Sequence, residues 1–251
     1  MLDLSTSYLQ ALLWSAALWL ALPLTVSLCA GREASFHDPK DREARALNLG
    51  FWLFEASALG PVLWLFSFFG LGVGQHQLAS TQIDGLSEQT LNFMLSFLLA
   101  LWLGDGIATL RHRLEHTRYL WPIHAWHHTV DGSDWLQTHR HHPCSRIIAF
   151  FCEVVLLALM LDVFFGTIPW PAMLLAMACR RAYAIWLHAG SDWGMDLWIA
   201  RLIVLPGHHR AHHACAPIYS GMFHHWDVFF AVWGKGPSLY RLKAVRNISA
   251  D

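Results

Sequence analysis

Residues 91–116 read LNFMLSFLLALWLGDGIATLRHRLEH. The first part, 91–110, carries one charge, Asp105, and is followed at once by Arg111-His112-Arg113 and then His116. A hydrocarbon core takes about 20 helical residues to cross, so this run predicts a transmembrane helix. From 91 to 112 such a helix rises about 31 Å at 1.5 Å per residue, which brings His112 to the mouth of the span. Residues four apart share a helix face, so His112 and His116 point the same way.

Working outward, the same texture recurs. Residues 8–30 carry no charge, 47–74 carry only Glu55, and 147–166 carry Glu153 and Asp162. After the Pro169-Trp170-Pro171 break, 172–187 returns as a shorter run. Hydrophobic residues make up 55% of the 251 and charged ones 14%, well under the roughly 25% of a soluble domain. The expected architecture is an all-α integral membrane bundle with about five crossings, in a single domain over 1–251. Fourteen tryptophans suit aromatic belts at the two interfaces. The first run has no Lys or Arg before it and reads as a membrane helix rather than a signal peptide. Cys29, Cys144, Cys152, Cys179 and Cys215 make no CxxC pattern and read as isolated thiols. A formal net charge of −1 argues against a nucleic-acid partner.

Loop charges orient the bundle. Residues 31–46 carry Arg32, Lys40, Arg42 and Arg45, whereas 75–90 carry no Lys or Arg. The positive-inside rule makes the first loop cytoplasmic and the second external. The third run then emerges in the cytoplasm at His112, and the 147–187 hairpin returns His188 to the same face.

That face collects nine of the 17 histidines. They are His112 and His116, the HxxHH group His124, His127 and His128, the single His188, and a second HxxHH group, His209, His212 and His213. Neutral imidazole is the commonest side-chain metal ligand and suits later first-row metals, while all-oxygen sites suit magnesium or calcium. Nine ligands are too many for one ion and about right for two. The segment His112-Arg113-Leu114-Glu115-His116 also fits the HxxEH pattern of zinc proteases, with Glu115 as base. A zinc hydrolase needs only about three protein ligands, which leaves both HxxHH groups unexplained. A divalent-metal transporter would need ionisable residues along a span, where only Glu55, Asp105, Glu153 and Asp162 stand. A dinuclear histidine site at the edge of an apolar cavity points to oxygen activation by iron. Two ferrous ions would reduce O2 together, giving an oxidant able to remove hydrogen from an unactivated C–H bond.

In order and spacing the chain resembles the fatty acid hydroxylase and sterol desaturase superfamily, whose members are membrane-bound non-haem di-iron enzymes. The resemblance covers about residues 100–235. It runs through Asp105, His112-Arg113-x2-His116, His124-Ala125-Trp126-His127-His128 and Arg140-His141-His142-Pro143, then His188, Pro206-x2-His209-x2-His212-His213 and Trp226-Asp227-x2-Phe230. It implies that the nine histidines are the ligands of two iron ions, with O2 as co-substrate and a lipid, sterol or other hydrophobic substrate hydroxylated or desaturated. Three positions depart from the family's habit: Thr109 stands where a Tyr is frequent, Ala231 follows Phe230, and Tyr219-Ser220-Gly221 only loosely matches an NYG segment.

Asp105 is expected either to accept a hydrogen bond from a ligand imidazole, and so serve catalysis, or to act as helix-packing glue. His208 could trade register with His209. His139, His141 and His142 are expected to support ligands or anchor helices, His224 and His225 to be structural, and Asp192 to lie near His188. The chain shows no haem, flavin or iron–sulfur motif, so a separate ferredoxin- or cytochrome b5-type protein is expected to supply electrons. The compact loops and the absence of a dilysine tail favour a bacterial inner membrane over the endoplasmic reticulum.

Overall fold

The computed structural model describes residues 43, 46–53, 86–129, 135–166, 168–188, 198–214 and 216–233. The expected spans at 8–30 and over most of 47–74, most of both orienting loops, Asp192, Cys29 and Cys215 lie outside the described residues. Among the described residues the chain is helical, with no strand and one isolated antiparallel bridge, Ile203 to Phe223.

Helix α1 runs Leu86–Glu115. Its stretch Thr90–Glu115 is a candidate membrane span of 26 residues, about 39 Å of helix against a hydrocarbon core of about 30 Å. The chain then turns through α2, Trp121–His124, which Pro122 opens from its first turn. Helix α3, Pro143–Phe150, is capped by His142, whose Nδ1 accepts from the Cys144 N–H at 3.2 Å. It continues through a π-helical turn, Phe151–Leu156, into α4, Leu157–Phe165. Together these make a second 23-residue apolar rod, Pro143–Phe165. It stops at Gly166, whose φ of 66° is the left-handed conformation that glycine supplies at helix ends.

The run expected at 172–187 belongs to α5, Trp170–Leu187. Arg180 and Arg181 interrupt it, and it is not among the helices apolar enough to cross a membrane. Two short helices follow: α6, Pro206–His213, and α7, His225–Trp233.

The core lies where α1, α4 and α5 meet, with Ala100, Leu103, Leu157, Leu161, Met173 and Ala176 buried together. Alanines at two of these positions, and at Ala158 beside them, let the helix backbones approach, as packing within a membrane requires. Gly106 serves the same end against α7, because a Cβ there would lie 2.6 Å from the Trp226 ring. The outer faces are apolar and bare: Leu91, Phe93, Leu95 and Leu98 on α1, and Ile147, Phe151, Leu159 and Val163 on the second rod. Patches of that extent suit lipid rather than water. Cys144, Cys152 and Cys179 are free thiols, as expected.

Candidate metal centre

Four segments deliver the histidines. His112 stands on α1, and His116 follows as its last turn closes, with the His116 N–H donating to the His112 carbonyl at 3.2 Å. Helix α2 ends on His124, and a 3-10 turn, His127–Thr129, carries the next two. His188 is the residue that closes α5. Pro206 starts α6, which carries His209, His212 and His213.

All nine expected histidines come together, in two groups. One holds His112, His116, His124, His128 and His212, the other His127, His188, His209 and His213. Within each group the donor nitrogens lie within 4.8 Å of one another. The groups share a wall, since the His128 and His213 rings stack with centroids 4.5 Å apart. Close nitrogen pairs are His124 Nε2 to His128 Nε2 at 3.2 Å, His188 Nε2 to His209 Nε2 at 2.9 Å, and His209 Nε2 to His213 Nε2 at 3.2 Å. Two nitrogens bound at right angles to one ion, each at about 2.1 Å, stand about 3 Å apart. The spacing is therefore that of neighbouring ligands.

The far nitrogen of each ring tells which lone pair is left. His112 Nδ1 faces the Tyr219 carbonyl at 2.8 Å, His188 Nδ1 the Ala184 carbonyl at 2.8 Å, and His212 Nδ1 the Ala216 carbonyl at 3.2 Å. A carbonyl only accepts, so each Nδ1 carries the hydrogen and each Nε2 presents a lone pair. His124 Nδ1 lies 3.1 Å from Glu115 Oε2, a close carboxylate–imidazole contact outside hydrogen-bond alignment, between the group types that orient metal ligands when they pair. Meanwhile the Nε2 atoms of His112, His116 and His212 are buried with no hydrogen-bond partner in the protein. Buried polar atoms are rarely left so. Three orphaned lone pairs in one group fit a bound cation, and the all-imidazole donor set fits a first-row transition metal.

Electrostatics favour the ligand state. Burial, the largest cause, pushes His116 and His128 down to about 3 and His188 down to about 4. His127, His209 and His212 are held well below the ordinary 6.5 for the same reason. Neighbouring imidazoles push these groups the same way, joined at His188 by Arg181. At neutral pH these rings are neutral, as metal binding requires.

Asp105 requires a correction. Its Oδ1 accepts from the Met222 N–H at 2.9 Å and its Oδ2 from the Phe223 N–H at 3.0 Å, rather than from an imidazole. Of the two readings it is the packing one: Asp105 pins loop 219–223 to α1. Asp227 grips the same loop from the other side, accepting from the Tyr219 N–H at 2.9 Å and from the Ser220 hydroxyl. Between them they fix the Tyr219 carbonyl that orients His112.

The imidazole-facing carboxylate is instead Glu115. It is fully buried, with Oε1 accepting from Ser145 Oγ at 2.7 Å and Oε2 facing Arg111 Nη1 at 2.5 Å as well as His124. Both oxygens are engaged, so Glu115 is built to orient rather than to act as a hydrolytic base. His208 stays outside both groups, its Nδ1 accepting from the Leu205 N–H at 3.0 Å and its ring edge-on to His224 at 4.6 Å. His141 stacks flat on His127, centroids 4.5 Å apart, and His139 meets Arg181 at 2.6 Å. The three backbone carbonyls that orient rings were missed by sequence reasoning, and no side-chain pattern could have marked them.

Residues 97–232, more than half of the chain, match the family model described as Fatty acid hydroxylase. No curated protein and no solved structure matches the chain.

Proposed function

The chain belongs to the fatty acid hydroxylase family, and from that footing we propose that it is a membrane-embedded non-haem di-iron oxygenase. It would use O2 to hydroxylate, or less readily desaturate, a hydrophobic substrate. The observation that carries this is the gathering of nine imidazoles into groups of five and four, with unpartnered lone pairs turned inward. His112, His116, His124, His128 and His212 would hold one ion, and His127, His188, His209 and His213 the other. Bound iron would supply the electrons that reduce O2 and the oxidising power to remove hydrogen from an unactivated C–H bond.

The chain's own residues do the rest. The carbonyls of Tyr219, Ala184 and Ala216 and the Glu115 carboxylate hold the far ring nitrogens, so the near ones cannot turn away. Helix α1 ends at Glu115, so His112 lies in its last turn, just past the apolar run. A substrate chain lying in the lipid beside α1 would therefore meet the histidines at the edge of the hydrocarbon, where water is scarce. We further propose that 1–251 forms one catalytic domain, that its histidine face is cytoplasmic in a bacterial inner membrane, and that a separate protein delivers the electrons.

Two measurements test the reading. Elemental analysis of anaerobically purified, iron-replete protein should give two irons per chain. Lipid profiling under ¹⁸O2 should show one hydrophobic product carrying labelled oxygen in cells with the wild type and none with His127→Ala. Fewer than two metal ions, or a product formed without oxygen, would remove the proposal.

A further inference from the structure

A charged carboxylate inside an apolar rod is costly unless paired, and marks a site where a partner must be named. Glu153 is such a residue. It sits in the π-helical turn Phe151–Leu156 within the second rod. Turns of this kind are uncommon and recur at functional positions. Its carboxylate is shared by two arginines from different helices. Oε1 accepts from Arg111 Nε on α1 at 2.9 Å, and Oε2 accepts from Arg180 Nη2 on α5 at 2.8 Å. Gly104 leaves room for the second contact, since a Cβ there would lie 2.8 Å from Arg180 Nη1.

The chain of charges does not stop at Arg111. The same guanidinium reaches Glu115 Oε2 through Nη1 at 2.5 Å, and that one oxygen also faces His124 Nδ1 at 3.1 Å. Arg111 and His124 therefore compete for a single carboxylate oxygen. The more completely Arg111 neutralises Glu115, the less negative charge is left for the imidazole. Glu153 draws the guanidinium the other way. Among the described residues the far nitrogen of His188, in the four-histidine group, faces the Ala184 carbonyl and no carboxylate.

We propose that Glu153 is a positioning residue for the five-histidine group: by dividing the Arg111 guanidinium between two carboxylates, it keeps charge on the Glu115 oxygen that holds His124. The two metal positions are thereby made unequal, with the carboxylate-backed one binding more tightly. This inference rests on the two-metal reading above and adds to it a control running from inside the membrane rod, through Arg111 and Glu115, to one metal position alone.

The test is a cobalt(II) titration of metal-free protein in detergent, followed by the visible ligand-field absorption with a competing chelator. His209→Ala leaves the five-histidine group as the stronger site, and the double variant His116→Ala/His212→Ala cuts that group to three ligands while leaving the four-histidine group intact. Changes to the partners of a ligating histidine weaken metal binding by about 10- to 100-fold. Glu153→Gln, one residue further out, is expected to weaken cobalt binding about tenfold in the His209→Ala background and less than about twofold in the His116→Ala/His212→Ala background. Arg180→Gln should act the other way, because Glu153 then serves Arg111 alone and cobalt binds at least as tightly as before. Equal weakening in both backgrounds, no weakening in either, or an Arg180→Gln loss matching that of Glu153→Gln overturns the inference. Wild-type protein that takes up fewer than two cobalt ions overturns the two-metal reading itself, a separate and earlier result.

Discussion

Acid should unfold the metal-free protein by an amount that His188 makes calculable. The ring is 3% exposed, and burial holds it at about 4 against an ordinary 6.5. A histidine with a depressed value is neutral when folded but takes up a proton when unfolded. Stability is therefore fully present above about pH 6.5 and is lost as pH falls towards 4. Between pH 7.5 and 5 the unfolded chain gains about 1.4 units of protonation free energy that the folded one does not, which is about 2 kcal/mol. His116 and His128, held at about 3, act in the same direction but are partly exposed, so solvent discounts them. For a chain of this size about 2 kcal/mol lowers the melting midpoint by roughly 4–8 °C. The assay is thermal unfolding in nonionic detergent after chelation, at pH 7.5 and 5, with His188→Asn beside the wild type. The variant should lose a substantial share of the pH sensitivity. Metal-loaded protein should resist the change until protons displace the ion. A metal-free midpoint that is flat across that range would refute the claim that these rings are neutral because they are buried.

Three further expectations follow from the geometry. His127→Ala and His128→Ala, though adjacent, should act on different ions: the first leaves three ligands in the smaller group and costs one metal per chain. The second leaves four in the larger group and lowers affinity, while His208→Ala keeps both ions, all read by elemental analysis and cobalt titration. Gly106→Ala forces a Cβ to within 2.6 Å of the Trp226 ring, an overpacking worth about 1–3 kcal/mol, so an unchanged melting midpoint would contradict the close approach of α1 and α7. Asp105→Asn turns an amide donor towards a backbone N–H, a mismatch worth about 1–3 kcal/mol. It should also reduce metal uptake by loosening the loop that orients His112, and a variant with wild-type stability and metal content would show the clamp to be idle.

What the sequence made legible follows from the range of each signal. The apolar runs at 91–110 and 147–166 needed only length and composition, and both reappear as long helices. The run at 172–187 looked similar by count, but Arg180 and Arg181 are placed for Glu153 and His139, partners that no local pattern announces. The nine histidines were legible because spacings of three and four are helical faces in their own right. The choice between Asp105 and Glu115 was not. Both acids flank His112 on α1, and what separates them is the segment packed opposite, loop 219–223 for one and α2 for the other. His208 and His209 likewise differ by one position, and only the pairing of His208 with the Leu205 N–H settles which ring turns inward.

The division of the two HxxHH motifs explains why both are needed. In the first, His124 and His128 join the five-histidine group and His127 the four. In the second, His209 and His213 join the four-histidine group and His212 the five. On α6, residues four apart diverge by about 40° around the helix and adjacent residues by about 100°, and the turn from α2 into the 3-10 segment divides the first motif the same way. An outer pair can thus close on one ion while the inner histidine reaches across to the other. A lone HxxHH would complete neither site. Two such turns facing each other, each lending its inner ring to the opposite group, complete both and fix their separation, because neither turn can shift without disturbing two sites. His112 and His116 then bring the larger group to five, and His188 brings the smaller to four. The unequal count falls on the side where α1 ends and where Glu115 stands behind His124. The asymmetry of the site is thus set by the helix whose last turn carries both His112 and Glu115.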